Sequence, residues 1–156
     1  MGWYNNHVDV SEMLGQTFSR VVADNESVTF ENDKVRYVLY HEQDCCESVV
    51  VEEIIGDIED LENWPLLIAR EDHDAEGEEL PNSESYTWTF YNFATFKGYV
   101  TIRFLGESNG YYSEEVYCMK EESYAFSRNI VCAIDIPIKI IKISKNDKKY
   151  PVVRII

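Results

Sequence analysis

Alternation of apolar and polar residues is the main structural signal in this chain. The two longest alternating runs are residues 86–91 and 99–104, which flank the dipeptide Lys97-Gly98. An alternation of period two places every second side chain on one face of a sheet. The pattern predicts a long hairpin with one face in the core and an exposed face that carries Thr and Tyr side chains, Tyr91 among them.

Shorter patterns predict further strands and two short helices. A helix at residues 10–14 would be capped by Asp9 or Ser11, and Asp57 would cap a second one. We therefore predict a mainly β (α+β) fold, either a single antiparallel twisted sheet or a small sandwich or half-barrel, with one or two short helices. The other strand patterns lie at residues 17–22, 27–30, 35–40, 49–51, 66–69 and 111–117.

The composition is that of a folded globular protein. The chain has 156 residues, of which 45% are hydrophobic, so it is long and apolar enough to bury a core. An aromatic content of 13%, with 11 Tyr, favours sheet. No apolar run approaches the roughly 20 residues that span a bilayer, and no basic segment precedes an apolar one at the start. We expect a cytoplasmic protein.

Charge is distributed unevenly along the chain. Residues 1–122 hold 27 acidic and 7 basic side chains, whereas residues 123–156 hold 2 and 7. We predict an acidic mainly β domain at 1–122, with a solvated acidic loop at 71–85. We also predict a basic, Ile-rich C-terminal extension at 123–156, formed by docked strands or an oligomer contact. The net charge of −15 argues against direct binding to nucleic acid or to anionic membranes.

The densest cluster of reactive side chains lies in the loop at residues 41–47. Zinc binding and a nucleophilic cysteine activated by histidine are two interpretations. In the favoured third one, a cysteine packs in the core and the polar side chains hydrogen-bond the loop to itself, since no metal-ligand spacing is present. We expect four free thiols and no bond between the adjacent cysteines. The loop contains His41, Gln43, Asp44, Cys45 and Cys46.

Two other features are candidates for ligand contact. The turn at 108–113 combines Asn-Gly with two tyrosines, so it could offer backbone N–H groups and a stacking surface. Arg103 and Lys97 are scarce cations that either hold an anion or pair with local Glu residues. No metal, cofactor or catalytic residue is predicted. The candidate ligand-binding residues are His41, Gln43, Asp44, Tyr86, Trp88, Tyr91, Lys97, Arg103, Asn109, Gly110, Tyr111 and Tyr112.

Three strings carry a resemblance to a known family. They are YHEQDCCESV (40–49), SYTWTFYNFATFKGYVTIR (85–103) and ESNGYYSE (107–114). They resemble an uncharacterised domain family of bacteriophage and bacterial proteins, over about residues 14–117. The family has no assigned activity, so the resemblance implies a context, a small phage-borne protein, and not a reaction. Small phage proteins without catalytic motifs often interfere with host processes, including antiviral defence.

Three functions fit these observations. In the first, the protein sequesters a small nucleotide-like molecule to counter host defence signalling, with aromatic rings on the base and Arg103 and Lys97 on phosphate. A homo-oligomer could form that pocket between subunits. In the second, it is an acidic inhibitor of a host nucleic-acid-binding or defence protein and imitates nucleic acid. In the third, it is a small enzyme in which His41, Asp44 and Cys45 or Cys46 serve as acid, base and nucleophile. We rank sequestration slightly above inhibition, and both above catalysis.

Overall fold

The architecture comes from a computed structural model, which describes residues 6–73 and 79–122. These ranges contain eight strands and two short 3-10 turns. No helix in these ranges has the length and apolar character needed to cross a membrane. The strands are β1 Arg20–Ala23, β2 Ser27–Glu31, β3 Val35–Tyr40, β4 Glu47–Ile55, β5 Ile68–His73, β6 Ser85–Ala94, β7 Tyr99–Ser108 and β8 Tyr117–Glu122.

The strands form two antiparallel four-stranded sheets, which confirms the mainly β prediction. The first sheet has the order β1-β2-β3-β8 and the second the order β4-β7-β6-β5. Their inner faces share one core, in which the rings of Phe30 and Phe93 lie 4.7 Å apart between centroids. The small sandwich is thus the alternative that the structure adopts, because each sheet has an apolar face that only the other sheet buries.

The two predicted helices are single 3-10 turns, Val10–Met13 and Ile58–Leu61. Asp9 caps the first by accepting a hydrogen bond from the N–H of Ser11, and Asp57 caps the second in the same way. The caps were therefore read correctly. Four residues are too few to propagate the i to i−4 hydrogen bonds of an α-helix, so each cap closes one tight turn.

Strands β6 and β7 run the full length of the second sheet and define its two ends. Their ladder extends from the pair Ser85 and Ser108 to the pair Ala94 and Tyr99. Nine steps of a strand span about 30 Å. We call the first end the loop end, because β4 begins there at Glu47, and the second the hairpin end, because the β6–β7 turn lies there.

The predicted faces of β6 are wrong. Tyr91 and Phe93 point into the core, and Tyr91 is paired with the buried Ile102 of β7. Trp88, which was predicted in the core, lies on the outer face beneath Arg103, which was predicted there. The sequence is ambiguous because β6 carries bulky or buried side chains on both faces, so its alternation of hydroxyl-bearing and apolar residues does not distinguish inside from outside.

The predicted strand at residues 111–117 is also wrong, except for its last residue, where β8 begins. The preceding segment follows an irregular path in which the backbone of Glu114 packs against Gly106. A Cβ at Gly106 would lie 2.7 Å from the carbonyl oxygen of Glu114. This packing replaces a strand ladder. The predicted loop at 71–85 begins inside β5, and its residues 74–78, like the extension at 123–156, lie outside the described residues.

Candidate functional site

The loop at 41–47 is organised around a buried carboxylate, that of Glu47, whose side chain is 1% exposed. It accepts hydrogen bonds from three successive backbone N–H groups, those of Asp44, Cys45 (3.2 Å) and Cys46 (3.0 Å). These bonds, that of Asp44 foremost, hold the pKa of Glu47 below its usual value. These three N–H groups are therefore already occupied and are not free to bind a ligand anion.

His41 joins this loop to the segment at 109–116. Its Nδ1 lies 2.6 Å from the carbonyl oxygen of Glu115, and its Nε2 lies 3.3 Å from the carboxylate of Glu47. Both ring nitrogens face acceptors, so both contacts are hydrogen bonds only in the imidazolium form. The His41 side chain is 2% exposed. His41 therefore connects the two loops and is not an exposed base.

The cysteines of the loop differ from the prediction. Cys45 and Cys46 are exposed and their sulfur atoms are joined in a disulfide, whereas free thiols and one core cysteine were expected. The reason is the turn, since neighbouring side chains that would point apart in a strand are brought together where the backbone bends around Glu47. Gln43 donates to the carbonyl of Glu47, as the structural interpretation of the loop predicted.

The thiol of Cys118 is free and is buried in the core. Burial raises the pKa of its thiol to about 12, and nearby carboxylates act in the same direction. A thiol of this kind is not a nucleophile at neutral pH. Among residues 6–73 and 79–122, no group of three or more His, Cys, Asp or Glu side chains is arranged to hold a metal ion.

Glu114 anchors the segment at 109–116 to the loop end. Its carboxylate accepts hydrogen bonds from the hydroxyls of Thr87 (2.6 Å) and Ser108 (2.7 Å). Burial acts to raise the pKa of Glu114, but the hydroxyls of Ser108, Thr87 and Ser85 together lower it. The loop at 41–47 and the turn at 108–113 thus lie together at one end of the second sheet.

The turn itself exposes one aromatic ring. Gly110 has a φ of 85°, which only glycine adopts readily, and the side chain of Asn109 accepts a hydrogen bond from the N–H of Tyr111. Tyr111 is 88% exposed and meets Tyr112 edge to face, with ring centroids 6.0 Å apart. All four predicted turn residues are therefore at the loop end, and Tyr111 is the one that faces solvent most fully.

The remaining predicted site residues lie elsewhere. The guanidinium of Arg103 lies over the ring of Trp88 at 4.7 Å on the outer face, and it forms an ion pair with Glu53. Tyr86 is half-buried in β6 at the loop end. Tyr91 has no exposed surface, so no ligand reaches it without rearrangement of the core. Lys97 is in the hairpin-end turn, about 30 Å along the ladder from the loop end.

Most cations of the described chain are paired with carboxylates. Residues 6–73 and 79–122 hold 24 acidic and 7 basic side chains, and five of those seven bases form ion pairs. Pairing consumes the positive charge that an anionic ligand would need and leaves a large excess of carboxylates at the surface. The pairs are Arg20–Glu31, Arg36–Glu121, Arg70–Asp72, Arg103–Glu53 and Lys120–Glu12.

Two features of functional interest were not predicted from the sequence. One is a set of stacked rings beside His41, in which Tyr117 stacks on His7 at 4.7 Å. The other is an exposed aromatic pair at the hairpin end, Trp64 and Phe96, with ring centroids 5.9 Å apart. A signal for the second was present, because Phe96 occupies a turn between Thr95 and Gly98, where a polar residue is usual.

The comparison with known families decides where this chain belongs. The profile of a domain of unknown function, DUF7448, matches residues 11–118. The chain belongs to this family. The matched range agrees with the expected extent of the resemblance, residues 14–117, and the DUF7448 match includes the loop end and the hairpin end alike. No curated protein matches the chain. No solved structure matches it either.

Proposed function

We propose that this DUF7448 protein is a non-catalytic inhibitor that binds a basic protein through its acidic surface. The supporting observation is the state of its charges. Five of the seven cations in the described ranges are paired, while carboxylates outnumber cations by 24 to 7. A surface of this kind produces a negative field that attracts basic partners and repels nucleic acid.

Arg103 and the N–H groups of the loop at 41–47 are already engaged, which favours inhibition over sequestration. Arg103 is paired with Glu53 and lies on Trp88. The N–H groups of the loop at 41–47 bind the carboxylate of Glu47. A nucleotide would therefore have to displace internal partners, whereas a basic protein finds exposed carboxylates that need no rearrangement.

The biological setting is part of the proposal. The resemblance of three long strings to phage and bacterial proteins supports a phage-borne origin, and a basic target is typical of proteins that bind nucleic acid. The partner is accordingly a host nucleic-acid-binding or defence protein. The acidic surface replaces DNA or RNA in its binding groove, in the cytoplasm of the host.

Affinity purification with a salt series tests the proposal. The tagged full chain is expressed in bacterial cells, and bound proteins are eluted in steps up to 1 M salt, with duplex DNA as a competitor. We expect a stoichiometric basic protein that elutes with salt and is displaced by DNA. Substitutions Glu52→Gln and Glu59→Gln should weaken capture, whereas Glu52→Asp and Glu59→Asp, which keep the charge, should not. A partner that salt does not elute and that duplex DNA does not displace would refute the proposal.

Sequestration of a nucleotide-like molecule is a second candidate, favoured by one observation. The loops at 41–47 and 109–116 meet through His41 and Glu115, and Tyr111 exposes its ring beside them. Native mass spectrometry of the purified chain tests this candidate. A bound mass of nucleotide size that Tyr111→Ala releases would support it. A bare chain from every extract, in any oligomeric state, would count against it.

A further inference from the structure

Exposed apolar side chains are concentrated at the hairpin end. Among the described residues, six of the eight large hydrophobic side chains that are exposed lie there, and Phe96 is 81% exposed. Solvent-exposed apolar residues are ordinary when scattered, but a cluster of them marks an interaction surface. We call this cluster the apolar patch. It comprises Leu14, Ile55, Trp64, Leu67, Phe96 and Tyr99.

Backbone hydrogen bonds and ring contacts bring the members of the apolar patch together. The rings of Trp64 and Phe96 lie 5.9 Å apart. The N–H of Leu67 donates to the carbonyl of Ala94 at 2.7 Å, next to the turn that carries Phe96. Leu14 is adjacent to Gly15, whose N–H donates to the carbonyl of Leu66 at 2.8 Å. Strand pairing sets Ile55 opposite Thr101, two residues after Tyr99, so the patch is assembled from four separate segments of the chain.

The backbone that carries the two rings is held in place. The hydroxyl of Thr95 donates to the carbonyl of Asp60 and accepts the N–H of Lys97 at 3.1 Å. Asn63 adopts a left-handed φ of 67°, and its N–H donates to the carbonyl of Phe18. Aromatic side chains on a fixed backbone lose little freedom on binding, which is why they are frequent binding hot spots.

The negative charge beside the apolar patch favours a partner with a basic surface. Residues 57–62, which lead into Trp64, contain four carboxylates and no cation. The same patch of a second copy would bring the same carboxylates against them, and an anionic bilayer would be repelled in the same way. A protein whose apolar pocket is bordered by Lys and Arg is complementary in both respects.

We propose that the apolar patch inserts Phe96 and Trp64 into an apolar pocket of a protein partner whose rim is basic. The inference rests on the proposed function and deepens it, because it assigns the contact surface. The excess of carboxylates attracts the partner from a distance, and the two rings provide the short-range contact that fixes its orientation.

A peptide probe tests the surface directly. The probe is a synthetic amphipathic helix with a leucine face flanked by lysines, and its control replaces every lysine with glutamate. With 15N-labelled full-length chain, we expect the lysine peptide to shift the amide signals of residues 62–64, 66–67 and 94–99, and the glutamate peptide to shift none. Phe96→Ser should weaken binding by at least about tenfold, the size of a hot-spot effect.

Two further variants keep the test decisive. Trp64→Ala should also weaken binding, whereas Val22→Ser, which replaces an exposed apolar residue of β1 outside the patch, should not. The inference is overturned if Phe96→Ser binds as tightly as the parent chain, if the glutamate peptide binds equally well, or if Phe96→Ser abolishes self-association or vesicle binding instead. Salt-sensitive capture of a basic protein that Phe96→Ser leaves unchanged would overturn the surface and leave the proposed function standing.

Discussion

Replacing Tyr91 with phenylalanine should stabilise the folded chain, although the change removes a polar group. Tyr91 has no exposed surface, and its hydroxyl has no hydrogen-bond partner. Burial raises the pKa of this phenol, and the neighbouring carboxylate of Glu71 raises it further. A buried hydroxyl without a partner keeps its desolvation cost, about 1–3 kcal/mol, and gains nothing in return.

The chain contains a matched control in Tyr37, which is equally buried. Its hydroxyl accepts a hydrogen bond from the side-chain amide of Gln16 at 2.8 Å and contacts Glu12 at 3.4 Å. Tyr37→Phe breaks these bonds and should cost about 1 kcal/mol. Tyr91→Phe should instead gain about 1 kcal/mol. The two substitutions, chemically identical, should thus differ by about 2 kcal/mol, or about 6 °C in Tm.

Urea unfolding of both variants and the parent chain, followed by circular dichroism at equal protein concentration, measures the difference. The m-value should be unchanged, so that the shift in midpoint reports stability alone. The reasoning is refuted if Tyr91→Phe lowers the midpoint as much as Tyr37→Phe does. That result would mean that the Tyr91 hydroxyl is bonded in solution, with Glu71 as its partner.

The remaining predictions concern a turn, an acid and a thiol. Gly56→Ala should cost about 3 kcal/mol, because φ is +109° and the new Cβ would lie 2.5 Å from the carbonyl oxygen of Tyr99. Gly15→Ala, with φ +82° and open space around the Cβ, should cost about 1 kcal/mol by the same urea assay. Glu114→Gln should destabilise the chain at pH 7. Because the pKa of Glu114 is lowered on folding, its ionised form stabilises the fold at neutral pH, and that contribution is lost as pH falls. The difference in the free energy of unfolding between Glu114→Gln and the parent chain should therefore become smaller below about pH 4.3. A difference that stays constant with pH would contradict this reasoning. Cys118 should resist iodoacetamide at pH 7.5 and react after unfolding, as measured by peptide mass spectrometry, since its thiol is buried with a pKa of about 12.

Local chemistry explains what the sequence predicted well. The hairpin of β2 and β3, the long hairpin of β6 and β7, and the capping roles of Asp9 and Asp57 all depend on residues within a few positions of one another. Such signals are readable from one sequence because alternation and capping act over short distances.

Long-range contacts explain what the sequence did not predict. The side chain of Glu114 accepts a hydrogen bond from Thr87, which is 27 residues away, within the segment where a strand was expected. His41 bonds to the carbonyl of Glu115, 74 residues away. Neither partner is visible in a local pattern. The contact between the two loops and the carboxylate of Glu47 that binds three N–H groups became evident only from the fold.

The length of the β6–β7 ladder has a consequence for stoichiometry. Its two ends are about 30 Å apart, so a small molecule at the loop end and a protein at the hairpin end would not collide. One chain can therefore carry both occupants at once, in a ternary complex of one each. Substitutions at Tyr111 and Phe96 should then act additively, since residues this far apart share no contacts. The two candidate activities are separable by mutation, and loss of one leaves the other measurable in the same molecule.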